Sequence, residues 1–164
     1  MSQFDLSFLG VAVDMAGCPN YCRHCWLGSH KNGNISKEEF KKIAEAFRNW
    51  RDENGRKIER LNFCSWWREP DFRDDYRALW ELEKELSSPG SAQRFELLST
   101  WRLARDPSYA DWAAHIGTKV CQITFFGMEE TTDWAMRRKG AFKVRLRRRN
   151  AVLRLGSRLA GSCF

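Results

Sequence analysis

The segment Cys18-Pro19-Asn20-Tyr21-Cys22-Arg23-His24-Cys25 places three cysteines within eight residues, in the spacing C-x3-C-x2-C. No other stretch limits the chemistry of this chain so tightly. Thiolates are soft ligands, suited to iron–sulfur clusters and to zinc. Three on one loop can hold three irons of a cubane [4Fe–4S] cluster and leave the fourth iron without a protein ligand. An open iron accepts a small molecule, which points to catalysis more than to electron storage. Zinc stays open as the alternative, with His24 or His30 completing a Cys3His set. Structural zinc usually takes its ligands as two separated pairs, and the sequence offers no second pair. A disulfide reading is disfavoured by context. Residues 1–17 lack the basic start of a secretory signal, and nothing approaches a membrane-spanning apolar run. Cysteines in such a chain serve more often as metal ligands or catalysts than as bridges. The expected location is cytoplasmic, without a membrane partner.

The 164 residues suffice for one domain with a real core, and eight Trp and eleven Phe argue for a globular chain. The formal charge of +7 is unevenly spread. The last acid is Asp133, and Arg137 to Arg158 carries ten Lys or Arg. Without those ten, 18 basic residues face 21 acidic ones, a net of −3. Basic character therefore belongs to the tail, and nucleic acid is a disfavoured partner for the domain.

An apolar run, Phe8 to Met15, predicts a buried strand that leads into the cysteine loop. Ser36-Lys37-Glu38-Glu39 predicts a helix start with a Ser cap, its buried stripe being Phe40, Ile43, Ala44 and Phe47 and its end Asn54-Gly55. Ile58 to Cys64 predicts the second strand. Strand, loop, helix and strand in this order make a βαβ unit with parallel strands. Asp71 to Leu86 predicts the second helix, Phe95 to Thr100 the third strand, Tyr109 to Ile116 the third helix and Lys119 to Gly127 the fourth strand. Cys64 reads as a buried small apolar residue and Cys121 as core. The fold class is α/β.

The cysteine spacing just after an apolar strand resembles the cluster loop of radical S-adenosylmethionine (SAM) enzymes. In that family SAM chelates the open iron, and its reductive cleavage gives a 5′-deoxyadenosyl radical. The resemblance implies a [4Fe–4S] cluster on Cys18, Cys22 and Cys25, SAM as second cofactor, and an electron donor such as flavodoxin or ferredoxin. It also implies a partial (β/α) barrel of about four parallel strands with outer helices, residues 1–143 being the N-terminal part of the core. His24, just before the last cysteine, stands where the family places a residue near the adenine. Glu69-Pro70 matches the end of a Gly-Gly-Glu-Pro-like turn that receives the SAM amino group, although Trp67 and Arg68 replace the glycines. Ser99 ends the third strand, where small hydroxyls line the SAM pocket; a turn role is the plainer reading. Thr124 and Gly127 match a Ser-x-Asp-Gly pattern that reaches the ribose in peptide- and sulfatase-modifying members, with Phe126 in place of the aspartate. Arg137 or Arg138, ahead of Lys139-Gly140-Ala141-Phe142, resembles a basic residue that approaches the SAM carboxylate. The resemblance names no catalytic residue beyond these and no substrate, a peptide or protein being a lean. A charged surface face is the plainer reading of the arginines.

Residues 144–164 form a basic tail expected to be helical. Gly156 to Phe164 has the look of a GC-rich gene read out of frame. Back-translation of Asn150 to Phe164 with permitted codons shifts into a frame reading as helix end, glycine cap and new strand, as a fifth βα unit requires. On that reading the chain is the front of a longer enzyme, its sheet edge open and its stability low unless the tail covers the edge. The other reading is a native tail that contacts RNA or anionic lipid. With zinc in the cysteine loop, that tail would make a non-enzymatic binding module.

Overall fold

Leu61 and Phe63 are buried, while Asn62 and Cys64 between and after them are half-covered, the period-two pattern of a strand with one core face. The structure, a computed structural model, describes residues 5–28, 31–90, 99–118, 120–154 and 158–163. It is mixed α/β, with five α-helices and two two-stranded parallel sheets among those residues. The chain divides into two units: Met1–Gly17 with Asn32–Gln93, and Cys18–Lys31 with Arg94–Phe164.

In the first unit β1 (Leu9–Ala12) pairs in parallel with β2 (Leu61–Cys64), Leu9 opposite Leu61 and Ala12 opposite Cys64. The connection runs through α1 (Lys37–Asn49), and α2 (Tyr76–Leu86) follows β2. This is the βαβ unit expected from the apolar runs. Both helices pack on β2. Val13, Met15, Phe40, Ala44, Phe63 and Leu79 belong to the shared core. Phe63 meets Phe40 and Phe47 edge-on, with ring centroids 6.3 and 6.4 Å apart, an arrangement favoured by the ring quadrupoles.

Ser36 caps α1 as expected. Its hydroxyl accepts the Glu39 N–H at 3.1 Å, and the Glu39 carboxylate accepts the Ser36 N–H at 2.7 Å. These two bonds satisfy donors that a helix start leaves orphaned. Ser36→Ala is expected to cost about 1 kcal/mol, read as a lowered midpoint in urea denaturation; an unchanged midpoint would show that the cap is idle.

The elements are shorter than the sequence suggested. α1 ends at Asn49, with Trp50 already extended, rather than at Asn54-Gly55. Asn54 and Gly55 instead shape a separate turn in which Asp52 accepts the N–H groups of Asn54 and Arg56. α2 starts at Tyr76 rather than Asp71, because Asp71 sits in the left-handed region at φ 57°. The first two strands keep only four residues each. The free edge of β2 is closed by hydroxyls after α2: Ser88 Oγ accepts from Leu61 N–H and Ser87 Oγ from Phe63 N–H, both at 2.9 Å. Two serines thus take up donors that an unpaired strand edge would expose.

In the second unit α3 (Tyr109–His115) ends one residue before the expected Ile116, and β3 (Val120–Phe125) forms within the expected run. A short helix, α4 (Glu129–Ala135), follows, and then α5 (Ala141–Arg154). The tail is helical as far as Arg154, as expected, and departs from that form only at its end. Its end, β4 (Arg158–Cys163), is a strand parallel to β3, with Val120 opposite Arg158 and Phe125 opposite Cys163. Of the four strands expected in one sheet, the first and second pair with each other and the fourth pairs with β4 instead, and no full barrel is seen among the described residues. Most of the expected strand Phe95–Thr100 lies outside the described residues. No helix among the described residues is long and apolar enough to cross a membrane.

Candidate functional site: a loop of three thiols

The approach to the loop is set in the first unit. Asp14 accepts the Gly17 N–H at 2.9 Å and binds the Arg68 guanidinium at 2.5 Å. Gly17 lies at φ 89°, and a Cβ there would collide with Asn32 and Arg68, so only glycine fits. Arg68 stands where the resembling motif has glycine, and its use here is this ion pair. Glu69 is half-buried in the same unit. With Asp14, Ser65, Asp71 and Arg73 it lines a narrow cleft of about 10 Å³, room for about one water.

The loop itself belongs to the second unit. Asn20 donates to Cys18 Sγ from its backbone N–H at 3.4 Å and its side-chain amide at 3.6 Å. Cys25 N–H bonds Cys22 C=O at 3.2 Å, and Gly28 N–H bonds Cys25 C=O at 2.9 Å. Two successive turns therefore carry Cys22 and Cys25. Between them Arg23 ties the loop to the end of α4. Its backbone N–H reaches Ala135 O at 2.8 Å, its Nε reaches Trp134 O at 3.1 Å, and its guanidinium lies 4.8 Å from the centre of the Trp134 ring. A cation at a helix C-terminus satisfies orphan carbonyls and the negative end of the dipole. His24 packs on Phe126, ring centroids 3.8 Å apart. Trp26 is 79% exposed, so it does not shield the loop from water as a neighbouring apolar residue would.

Cys22 Sγ lies 3.4 Å from Met136 Sδ. Burial pushes the Cys22 thiol above its ordinary value, and Cys25 adds to this, while Arg145 and Arg138 pull it down. Burial and then Arg145 hold His24 below the usual imidazole range, against a bond to Ala135. His24 is thus neutral at neutral pH.

The remaining candidates are dispersed. Ser99 is buried, its N–H donating to the Tyr109 hydroxyl and its Oγ accepting the Arg102 N–H. It works as a turn cap. Thr124 is half-buried on β3. Arg137 is exposed at φ 51°, whereas Arg138 lies within electrostatic reach of Cys22. His30 and the side chain of Cys121 lie outside the described residues. Cys64 is half-buried, its Sγ 3.4 Å from Trp66 O.

The pattern did not single out Thr132, which is fully buried. Its hydroxyl accepts Phe126 N–H and donates to Gly127 O, closing the β3–α4 turn beneath His24's partner. Asp133 was equally silent. It accepts the N–H groups of Gly140 and Phe142, capping α5. These bonds, Phe142 first, hold its carboxyl below the ordinary 3.8. A depressed carboxyl stabilises the fold fully above its unfolded value and loses that contribution as pH falls through the folded one. Asp133→Asn is expected to flatten the acid limb of a thermal-denaturation pH series below about pH 4. An acid limb identical to the parent's would remove this role.

Among the cysteines whose side chains are described, Cys18, Cys22, Cys25 and Cys64, none is joined in a disulfide. Three thiols on one loop fit a cubane cluster with an open iron in kind and in number. Among the described residues, however, no three Cys, His, Asp or Glu side chains converge as a metal-binding group. Binding would require the loop to draw its thiols together. Compared with protein-family models and with curated proteins, the chain finds no match.

Proposed function

We propose that this chain is a radical SAM protein with a partial (β/α) barrel core, whose Cys18, Cys22 and Cys25 hold a [4Fe–4S] cluster and leave one iron for SAM. The observation that carries this reading is a loop of three thiols, none in a disulfide, that follows, in sequence, the first strand of a parallel βαβ unit. When bound, the cluster supplies the electron that cleaves the SAM sulfonium to a 5′-deoxyadenosyl radical. The chain's own residues supply position and surroundings. Asn20 directs two donors at Cys18 Sγ, and donors to cluster sulfurs tune the potential. Arg23 anchors the middle of the loop to α4. Burial raises the Cys22 thiol, and Arg145 and Arg138 partly offset this towards the ionised form, which is the form that ligates. By the family likeness, His24 and Thr124 would border the nucleoside and Arg137 would approach the SAM carboxylate. The electron arrives from a small redox protein of the flavodoxin or ferredoxin kind, and the substrate is a peptide or protein.

Anaerobic reconstitution with iron and sulfide tests this. The reading expects about four irons per chain and a reduced-cluster paramagnetic spectrum that changes when SAM is added. Stoichiometric zinc with no iron would replace it with a zinc-binding module. A cluster whose spectrum ignores SAM would leave an iron–sulfur protein of another kind.

A further inference from the structure

Helix α5 has an inverted face. Its buried stripe runs through Ala141 and Arg145 to the half-buried Arg148, while Leu146 is exposed. These positions, i, i+4 and i+7, would carry apolar side chains on an ordinary packed helix. Arg145 is 8% exposed and its Nη2 contacts Met136 Sδ at 3.3 Å, a weak acceptor. Arg148 donates from Nη1 to Thr100 O. Its Nε is buried with no hydrogen-bond partner among the described residues. Arg105 is held close by: its Nη1 donates to Trp101 O at 3.3 Å and its guanidinium stacks 4.2 Å over the Trp101 ring.

We infer that Arg148, with Arg105, Arg138, Arg145 and Arg147 around it, forms a binding site for a compact multivalent oxyanion of the phosphate class. Among the described residues no ion pair joins a carboxylate to Arg105, Arg138, Arg147 or Arg148, while Lys143 on the same helix pairs with Glu129. Burial, and then the fields of Arg105, Arg138, Arg145 and Arg147, lower Arg148 to about 10. Guanidinium groups stay charged at neutral pH, so like charges gather around Arg145 and Arg148, which are covered, while Arg105, Arg138 and Arg147 reach them from the exposed side. A monovalent carboxylate would neutralise one of them. A phosphate or pyrophosphate group offers several acceptors to the forked donors and offsets several charges at once. A polymer backbone calls for an extended exposed basic surface, whereas Arg145 and Arg148 sit on the covered side of their helix. The site belongs to the chain as it stands, whichever reading frame its gene uses, and it does not rest on the cluster reading.

The test is calorimetric titration of the full chain with inorganic pyrophosphate, at ionic strength held constant with sodium chloride. Saturable binding is expected, weakened about tenfold or more by Arg148→Gln through loss of a charge-assisted bond. Arg149→Gln, an exposed neighbour on the same helix, should change it less than about twofold. Arg105→Gln alters an exposed side chain on another segment and should also weaken binding, which keeps the test decisive if Arg148→Gln does not fold. No saturable binding overturns the inference, as does equal weakening by Arg149→Gln. Binding of a single-stranded oligonucleotide without binding of pyrophosphate would assign the cluster to nucleic acid instead. None of these readouts requires iron or SAM, so failure here leaves the cluster reading untouched.

Discussion

Cys22→Ala is expected to abolish cluster assembly, dropping iron from about four per chain to below about one. The reason lies in position. Cys22 is the middle thiol of the three, and it sits at the start of the turn that Cys25 closes. With it removed, two thiols remain on the loop, and two cannot hold three irons of a cube. Cys64→Ala is the control. Cys64 ends β2 with its Sγ on Trp66 O, and its loss should leave the iron count unchanged. Far-ultraviolet circular dichroism should match the parent for both variants, since the Cys22 side chain makes one sulfur contact, with Met136. Iron retained by Cys22→Ala, or lost equally by Cys64→Ala, would sink the assignment of ligands.

Phe63→Ala is expected to destabilise the first unit by about 3–5 kcal/mol. Phe63 is 2% exposed, lies on the core face of β2, and is met by the rings of Phe40 and Phe47. Its removal takes away apolar transfer energy and leaves a cavity beneath the α1 rings of Phe40 and Phe47. Whole-domain stability is typically about 5–15 kcal/mol, so the loss is a large share of what is there. Urea denaturation followed by circular dichroism reads it. Phe8→Ala, at a ring 50% exposed, should shift the midpoint by about a fifth as much or less. Comparable shifts at the two positions would show that this core does not hold the unit.

How much was legible follows from the range over which each signal acts. The Ser36 cap and the Phe40–Ala44 stripe of α1 were readable because cap and stripe are set within one or two turns of chain. β1 and β2 were readable as short apolar runs, and their parallel pairing follows from the helix between them. The cysteine loop was readable because three ligands eight residues apart need no long-range information. Boundaries were less so: α2 begins late because Asp71 adopts a left-handed backbone, which side-chain periodicity does not reveal. The serines that close the edge of β2 come from beyond α2, 24 and 27 residues away. Thr132 and Asp133 carried no recognised motif, although their partners Gly127 and Gly140 lie only five and seven residues away.

Local chemistry in the chain was enough to specify the mixed α/β class, the first βαβ unit and the trio of soft ligands, since each depends on neighbours along the backbone. Folding in three dimensions settled what lies against that trio: Arg23 on the carbonyls of α4, Met136 at the sulfur of Cys22, His24 on Phe126, and an arginine-lined face of α5 that polarity alone would have turned outward. It also laid the tail beside β3 as a strand. The contacts of the thiol loop join residues more than a hundred positions apart and the others join segments distant along the chain, and the energy that selects them comes from burial and charge in the assembled interior, which no short window of sequence contains.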